Sequence, residues 1–116
     1  MDFGPLIESC TPLKMFQLGA STEGFLLHNI KSKGFIQYLY IFGVFVDKKP
    51  TIYFCAEKQL ENNNIFIGVF DDKGHRNYGV DNQCSDSMSF LIKALEYVCE
   101  NCSINREQIK EIPAKQ

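Results

Sequence analysis

Five cysteines and two histidines are the residues here with the most chemistry to offer: Cys10, Cys55, Cys84, Cys99, Cys102, His28 and His75. Cys99-Glu100-Asn101-Cys102 has the Cys-x-x-Cys spacing of a redox pair or half a zinc site. A redox pair needs its first thiol at a helix N-terminus, where amide dipoles favour the thiolate. This pair falls at the C-terminal end of a predicted helix, where the dipole has the opposite sign. A tetrahedral zinc site would draw on His75, Cys84, Cys99 and Cys102, although the spacing follows no established zinc pattern. Two cysteines three apart on an apolar helix face are explained more simply as core filler.

Other constellations are weaker. Cys55 or Cys84 with His28 or His75 is a Cys–His pair on paper, but His28 lies in an apolar strand and His75 beside a turn. Asp71, Asp72, Asp81 and Asp86 lack the alternating oxygen spacing and closing Glu of a calcium loop. There is no Gly-x-Gly-x-x-Gly and no Gly-Lys-Ser/Thr loop, so no phosphate cradle. Asn101-Cys102-Ser103 matches the glycosylation tripeptide by chance if the chain is not secreted. No catalytic set and no cofactor is expected.

The elements that position these residues follow from periodicity. Phe35–Val46 is an aromatic and β-branched run, a strand apolar on both faces and therefore central. Gly43 is expected to mark a bulge in it. Phe25–Ile30, Thr51–Ala56 and Ile65–Phe70 read as further strands, and His75–Val80 as a polar edge strand. Leu13–Leu18 is short and apolar-biased. The turns are Gly19–Gly24, Lys31–Gly34, Asp47–Pro50, Glu57–Asn64 and Asp71–Gly74; the last has the Asp and Gly of a type I or three-to-five residue hairpin.

At Ser85 or Asp86, either a good N-cap, the period changes from two to 3.6. A helix is expected over 86–102, with Met88, Leu91, Ile92, Leu95, Cys99 and Cys102 facing the sheet. Pro5 could open a short helix ending at Cys10 and Pro12. Asn105 is expected to cap a last short helix, with Gln108 completing a partial capping box and Ile109 and Ile112 docking it. Ala114–Gln116 should fray. Strands joined by short turns are antiparallel. The fold class is thus α+β: a single-domain antiparallel meander of five or six strands with a C-terminal helix on one face.

The chain has 116 residues, a hydrophobic fraction of 45% and a charged fraction of 22%. That excludes disorder, collagen and coiled coil, and fits one domain. Net charge is −2 with neutral histidines, and no basic stripe is present, so nucleic acid is not an expected partner. The longest apolar run is too short for a membrane-spanning helix. An odd number of cysteines, and a start (Met1-Asp2-Phe3-Gly4-Pro5) without a signal-peptide pattern, predict reduced thiols in the cytoplasm.

Charge is uneven: residues 1–56 carry +1 and residues 71–102 carry −3. Asp71, Asp72, Asp81, Asp86, Glu96 and Glu100 could steer a basic partner protein. Tyr38 and Tyr40 share a strand face with Phe42 and Val44; if that face is uncovered, it is an aromatic contact patch, which also admits a homodimer. The expected function is a small cytoplasmic protein-binding domain of inhibitor or immunity type that neutralises a basic partner such as a toxin. The alternative is a ligand-binding or enzymatic domain with a pocket between sheet and helix, lined by His75, Tyr78 and Cys84.

Overall fold

A computed structural model of the chain describes residues 11–28, 36–59, 65–83 and 87–112. Six strands run as an antiparallel meander: β1 (Thr11–Gln17), β2 (Thr22–His28), β3 (Ile36–Val46), β4 (Lys49–Gln59), β5 (Ile65–Asp71) and β6 (Arg76–Gln83). Helix α1 (Ser87–Asn101) packs across the sheet. The expected α+β class and its C-terminal helix are what the fold shows. A three-residue strand, β7 (Lys110–Ile112), is added outside β1 and makes the sheet order β6-β5-β4-β3-β2-β1-β7.

Alternation decides the two sheet faces. On one, Phe16, Leu26, Phe42, Val44, Phe54, Ala56, Ile67 and Val69 meet Phe90, Leu91, Ala94 and Val98 of α1 in a single apolar cluster. Phe42 and Phe54 are a cross-strand pair with ring centroids 6.2 Å apart. On the other face Leu27, Ile41, Tyr53, Cys55 and Phe70 are buried as well. The central strand is therefore buried on both sides, as its unbroken apolar run requires.

Several local expectations need correction. Gly43 is no bulge: it pairs regularly with Phe25 and Tyr53. A Cβ there would come within 3.0 Å of the Phe45 ring, so the position serves close packing. The irregularities in the β3–β4 pairing lie between Tyr38 and Tyr40 and between Val44 and Phe45. The second leaves Thr51 as an extra residue beside Pro50, where a missing ladder donor is tolerated. This is why β4 extends back through Pro50 to Lys49. It also runs on through Glu57, which pairs with Tyr38 and Phe66 and is buried, although its polarity reads as loop.

The Gly19–Gly24 loop contracts to a turn. Leu18 and Gly19 N–H groups both donate to the Thr22 carbonyl, at 2.8 and 3.2 Å, and Thr22–Gly24 already belong to β2. The 105–112 segment is no continuous helix. Asn105 does cap, its side chain accepting from the Glu107 amide at 3.0 Å, but only a single 3-10 turn (Arg106–Gln108) follows before β7. The short helix expected at Pro5–Cys10, the turns at Lys31–Gly34 and Asn62–Asn64, the cap at Ser85 or Asp86, and Ala114–Gln116 lie outside the described residues.

The helix is also partly rotated from expectation: of the expected stripe, Leu91 is buried and Leu95 packs against the core, but Met88 and Ile92 do not. Phe90, Leu91, Ala94 and Val98 are at most 5% exposed, whereas Met88 is 53% and Ile92 42% exposed. At about 100° per residue, Phe90, Ala94 and Val98 form an arc of their own, beside the expected stripe. That arc sets Phe90 and the small Ala94 together against the sheet, letting the helix approach closely.

Candidate functional site

The β1–β2, β3–β4 and β5–β6 turns lie at one end of the meander. The β5–β6 turn carries Asp71, Asp72 and His75. Asp71 N–H donates to the His75 carbonyl at 3.0 Å, and Gly74 N–H to the Asp71 carbonyl at 3.1 Å. Gly74 has φ 81°, which suits glycine. The Asp71 carboxylate accepts from the amides of Lys73 (3.0 Å) and His75 (2.7 Å), and the His75 ring stands 3.5 Å away. The hydrogen bond from His75, and further that from Lys73, hold the Asp71 carboxyl below its ordinary value. Asp71 is thus an ionised group engaged with its own turn, while Asp72 projects into solvent.

Helix α1 runs toward the same end. Phe90, in its first turn, stacks on Tyr40 (centroids 6.1 Å), and Tyr97 meets Phe54 edge-on at 5.2 Å. Tyr40 pairs with Ala56, and Phe54 lies two residues nearer the turns. The later part of the helix, with exposed Glu96 and Glu100, is accordingly brought toward the end where Asp72 projects.

Tyr40 is on the helix-covered face, half-buried between Phe90 and the His28 ring, which stacks on it at 5.0 Å. The condition for an open tyrosine patch is not met there. Tyr38 lies in β3, its side chain outside what is described. Asp81 and Tyr78 lie in β6, where five steps from Asn77 to Asn82 stand opposite two steps from Val69 to Ile67, a register shift of three residues. Asp86 and Cys84 lie outside the described residues.

Cys99 is half-buried and Cys102 exposed, both as free thiols. Partial burial, then the neighbouring Cys99, push the Cys102 thiol above its ordinary value, so it stays protonated at neutral pH. That is the reverse of a redox nucleophile. Among the described residues no three His, Cys, Asp or Glu side chains are grouped to hold a metal ion. His75 of the expected zinc set is exposed in a turn.

The described helix–sheet interface is filled by apolar side chains. Among the described residues the buried polar one is Glu57, on the opposite face in line with Cys55 and Tyr53. Sequence reasoning missed it, because the polar run it opens looks like loop. Among the described residues no helix is long and apolar enough to cross a membrane. No family model matches the chain, and neither curated proteins nor solved structures give a match.

Proposed function

We propose that the protein is a small cytoplasmic protein-binding domain, of inhibitor or immunity type, that neutralises a basic partner protein such as a toxin. The observation that carries this reading is the exposure of Asp72 on the β5–β6 turn and of Glu96 and Glu100 on the later part of α1. Surface carboxylates raise the encounter rate with a cationic protein and orient it. Free thiols at Cys99 and Cys102 suit a reducing compartment.

Affinity capture from the host with the full chain as bait tests this, at low and physiological salt, beside an Asp72→Ser/Glu96→Gln/Glu100→Gln variant. A stoichiometric basic protein, released by salt and weakened by the variant, is expected. Capture of no stoichiometric protein, or of one indifferent to both salt and variant, overturns the reading.

A further inference from the structure

Helix α1 carries more apolar surface than the sheet consumes. Met88, Ile92, Leu95, Cys99 and Cys102 are spaced four, three, four and three apart. At about 100° per residue they fall within roughly 40° either side of one line along the helix. The sheet-facing arc of Phe90, Leu91, Ala94 and Val98 is centred about 110° away. Leu95, about 20° from that line on the sheet side, already packs against the core, and Cys99 is half-buried. Met88 and Ile92 are the largest exposed apolar side chains on the helix, and Cys99 and Cys102 continue their line. Because the Cys102 thiol stays neutral, that end of the stripe remains uncharged as well.

The far margin of the stripe is acidic. Glu96 and Glu100 lie about 80° and 120° around from its centre, on the side away from the sheet, with Lys93 beyond them. An apolar seam of 4-3 spacing suits another helix with its apolar residues three and four apart. A carboxylate margin selects a helix bearing lysine or arginine beside those residues.

The geometry points to the stripe Met88–Ile92–Leu95–Cys99–Cys102 as a docking seam for an amphipathic basic helix, with Glu96 and Glu100 pairing its cations. This rests on the basic-partner reading above and names the structural element of the partner that is held. Met88 adds an unbranched, adaptable side chain at the open end. Cys-x-x-Cys spacing is then explained by the seam and not by redox chemistry.

The probe is a synthetic amphipathic helix of leucine and lysine, with leucines three and four apart, titrated into the full-length protein by fluorescence anisotropy. A leucine–glutamate counterpart is the control. The lysine peptide should bind and the glutamate peptide should not. Met88→Ser/Ile92→Ser should weaken binding by about tenfold, the loss expected for apolar anchors. Because both residues are exposed, its thermal unfolding should match wild type. Glu96→Gln/Glu100→Gln should weaken binding several-fold and flatten its salt dependence.

Full affinity in Met88→Ser/Ile92→Ser, with loss only in the Glu variant, overturns the seam and leaves the basic-partner reading standing. Equal binding of both peptides, or binding of neither, overturns the seam and counts against that reading too. A wild-type dimer in sedimentation equilibrium that becomes monomeric in Ile92→Ser assigns the seam to a second copy and overturns a foreign helix.

Discussion

The β3–β4 and β5–β6 hairpins turn at the same end of the sheet and solve the turn differently. The β5–β6 turn has Gly74 in the left-handed region and an Asp71 carboxylate that accepts from two backbone amides. The β3–β4 turn has neither. Asp47 and Lys48, with φ 51° and 64°, both occupy the left-handed region without being glycine. Such a conformation costs roughly 1–2 kcal/mol per residue. What differs is the ladder behind each turn. β3 and β4 pair from Val46–Lys49 to Ile36–Gln59 and lock through Phe42 and Phe54. The β3–β4 turn is also tied to its neighbour by the Asp47 amide donating to the Ser21 carbonyl at 2.9 Å. β5 and β6 register only at Phe70–Arg76, Val69–Asn77, Ile67–Asn82 and Phe66–Gln83, across a three-residue register shift that bulges β6. A long, packed ladder imposes its turn despite its two register shifts; a short one depends on a turn that is favourable by itself.

The largest effect should come from removing the packing that imposes the first turn. Phe42→Ala should cost about 3–5 kcal/mol in denaturant unfolding. A loss under about 1 kcal/mol would mean that the β3–β4 ladder is not what holds Asp47 and Lys48. Next is Gly74→Ala, which puts a side chain at a buried position with φ 81° and should cost roughly 1–2 kcal/mol. An unchanged denaturation midpoint would show that the β5–β6 turn does not depend on its glycine.

Lys48→Gly acts in the opposite direction. It relieves the left-handed strain but loosens the unfolded chain, for a net gain of about 1 kcal/mol. Destabilisation instead would mean that the turn is not under strain.

The smallest effect is the pH dependence of Asp71, an exposed group whose contribution salt will screen. Its folded pKa lies below the ordinary 3.8, so the unfolded chain binds the proton more tightly. The stabilisation is complete above the ordinary value and is lost as pH falls through the folded value. Asp71→Asn should therefore be less stable than wild type near neutral pH, and the gap should close as pH falls below the folded value. A gap that is constant with pH would assign the effect to something other than the carboxylate charge.

Both turns are legible in the sequence as turns, because Asp71-Asp72-Lys73-Gly74 and Asp47-Lys48-Lys49-Pro50 each break a clear β run. The Gly74 turn can be typed from its residues. The Asp47–Lys48 turn cannot, because its conformation is set by strand pairing and not by its own composition. The Phe35–Val46 strand and the 86–102 helix are legible for the same local reasons. Which arc of that helix meets the sheet is not, since Phe90, Ala94 and Val98 compete with Met88, Ile92, Leu95, Cys99 and Cys102 at equal hydrophobicity. Strand β7 leaves no trace, as Lys110-Glu111-Ile112 becomes extended only by pairing with Met15, Phe16 and Gln17. The acids of the candidate site are visible as a charge excess, but that Asp71 is engaged with its own turn and Asp72 projects is set by the backbone of the hairpin and not by composition.

The bulge that weakens the β5–β6 hairpin has a further consequence for a cell full of copies of this chain. A regular outermost strand offers its unpaired amides and carbonyls as a template for the next molecule. In β6, Tyr78–Asp81 interrupt the repeat that such stacking would need. At the opposite edge, β7 covers Met15–Gln17, and Pro12 lacks an amide to donate. The sheet thus gives up some pairing energy at its margins and gains resistance to growing into aggregates.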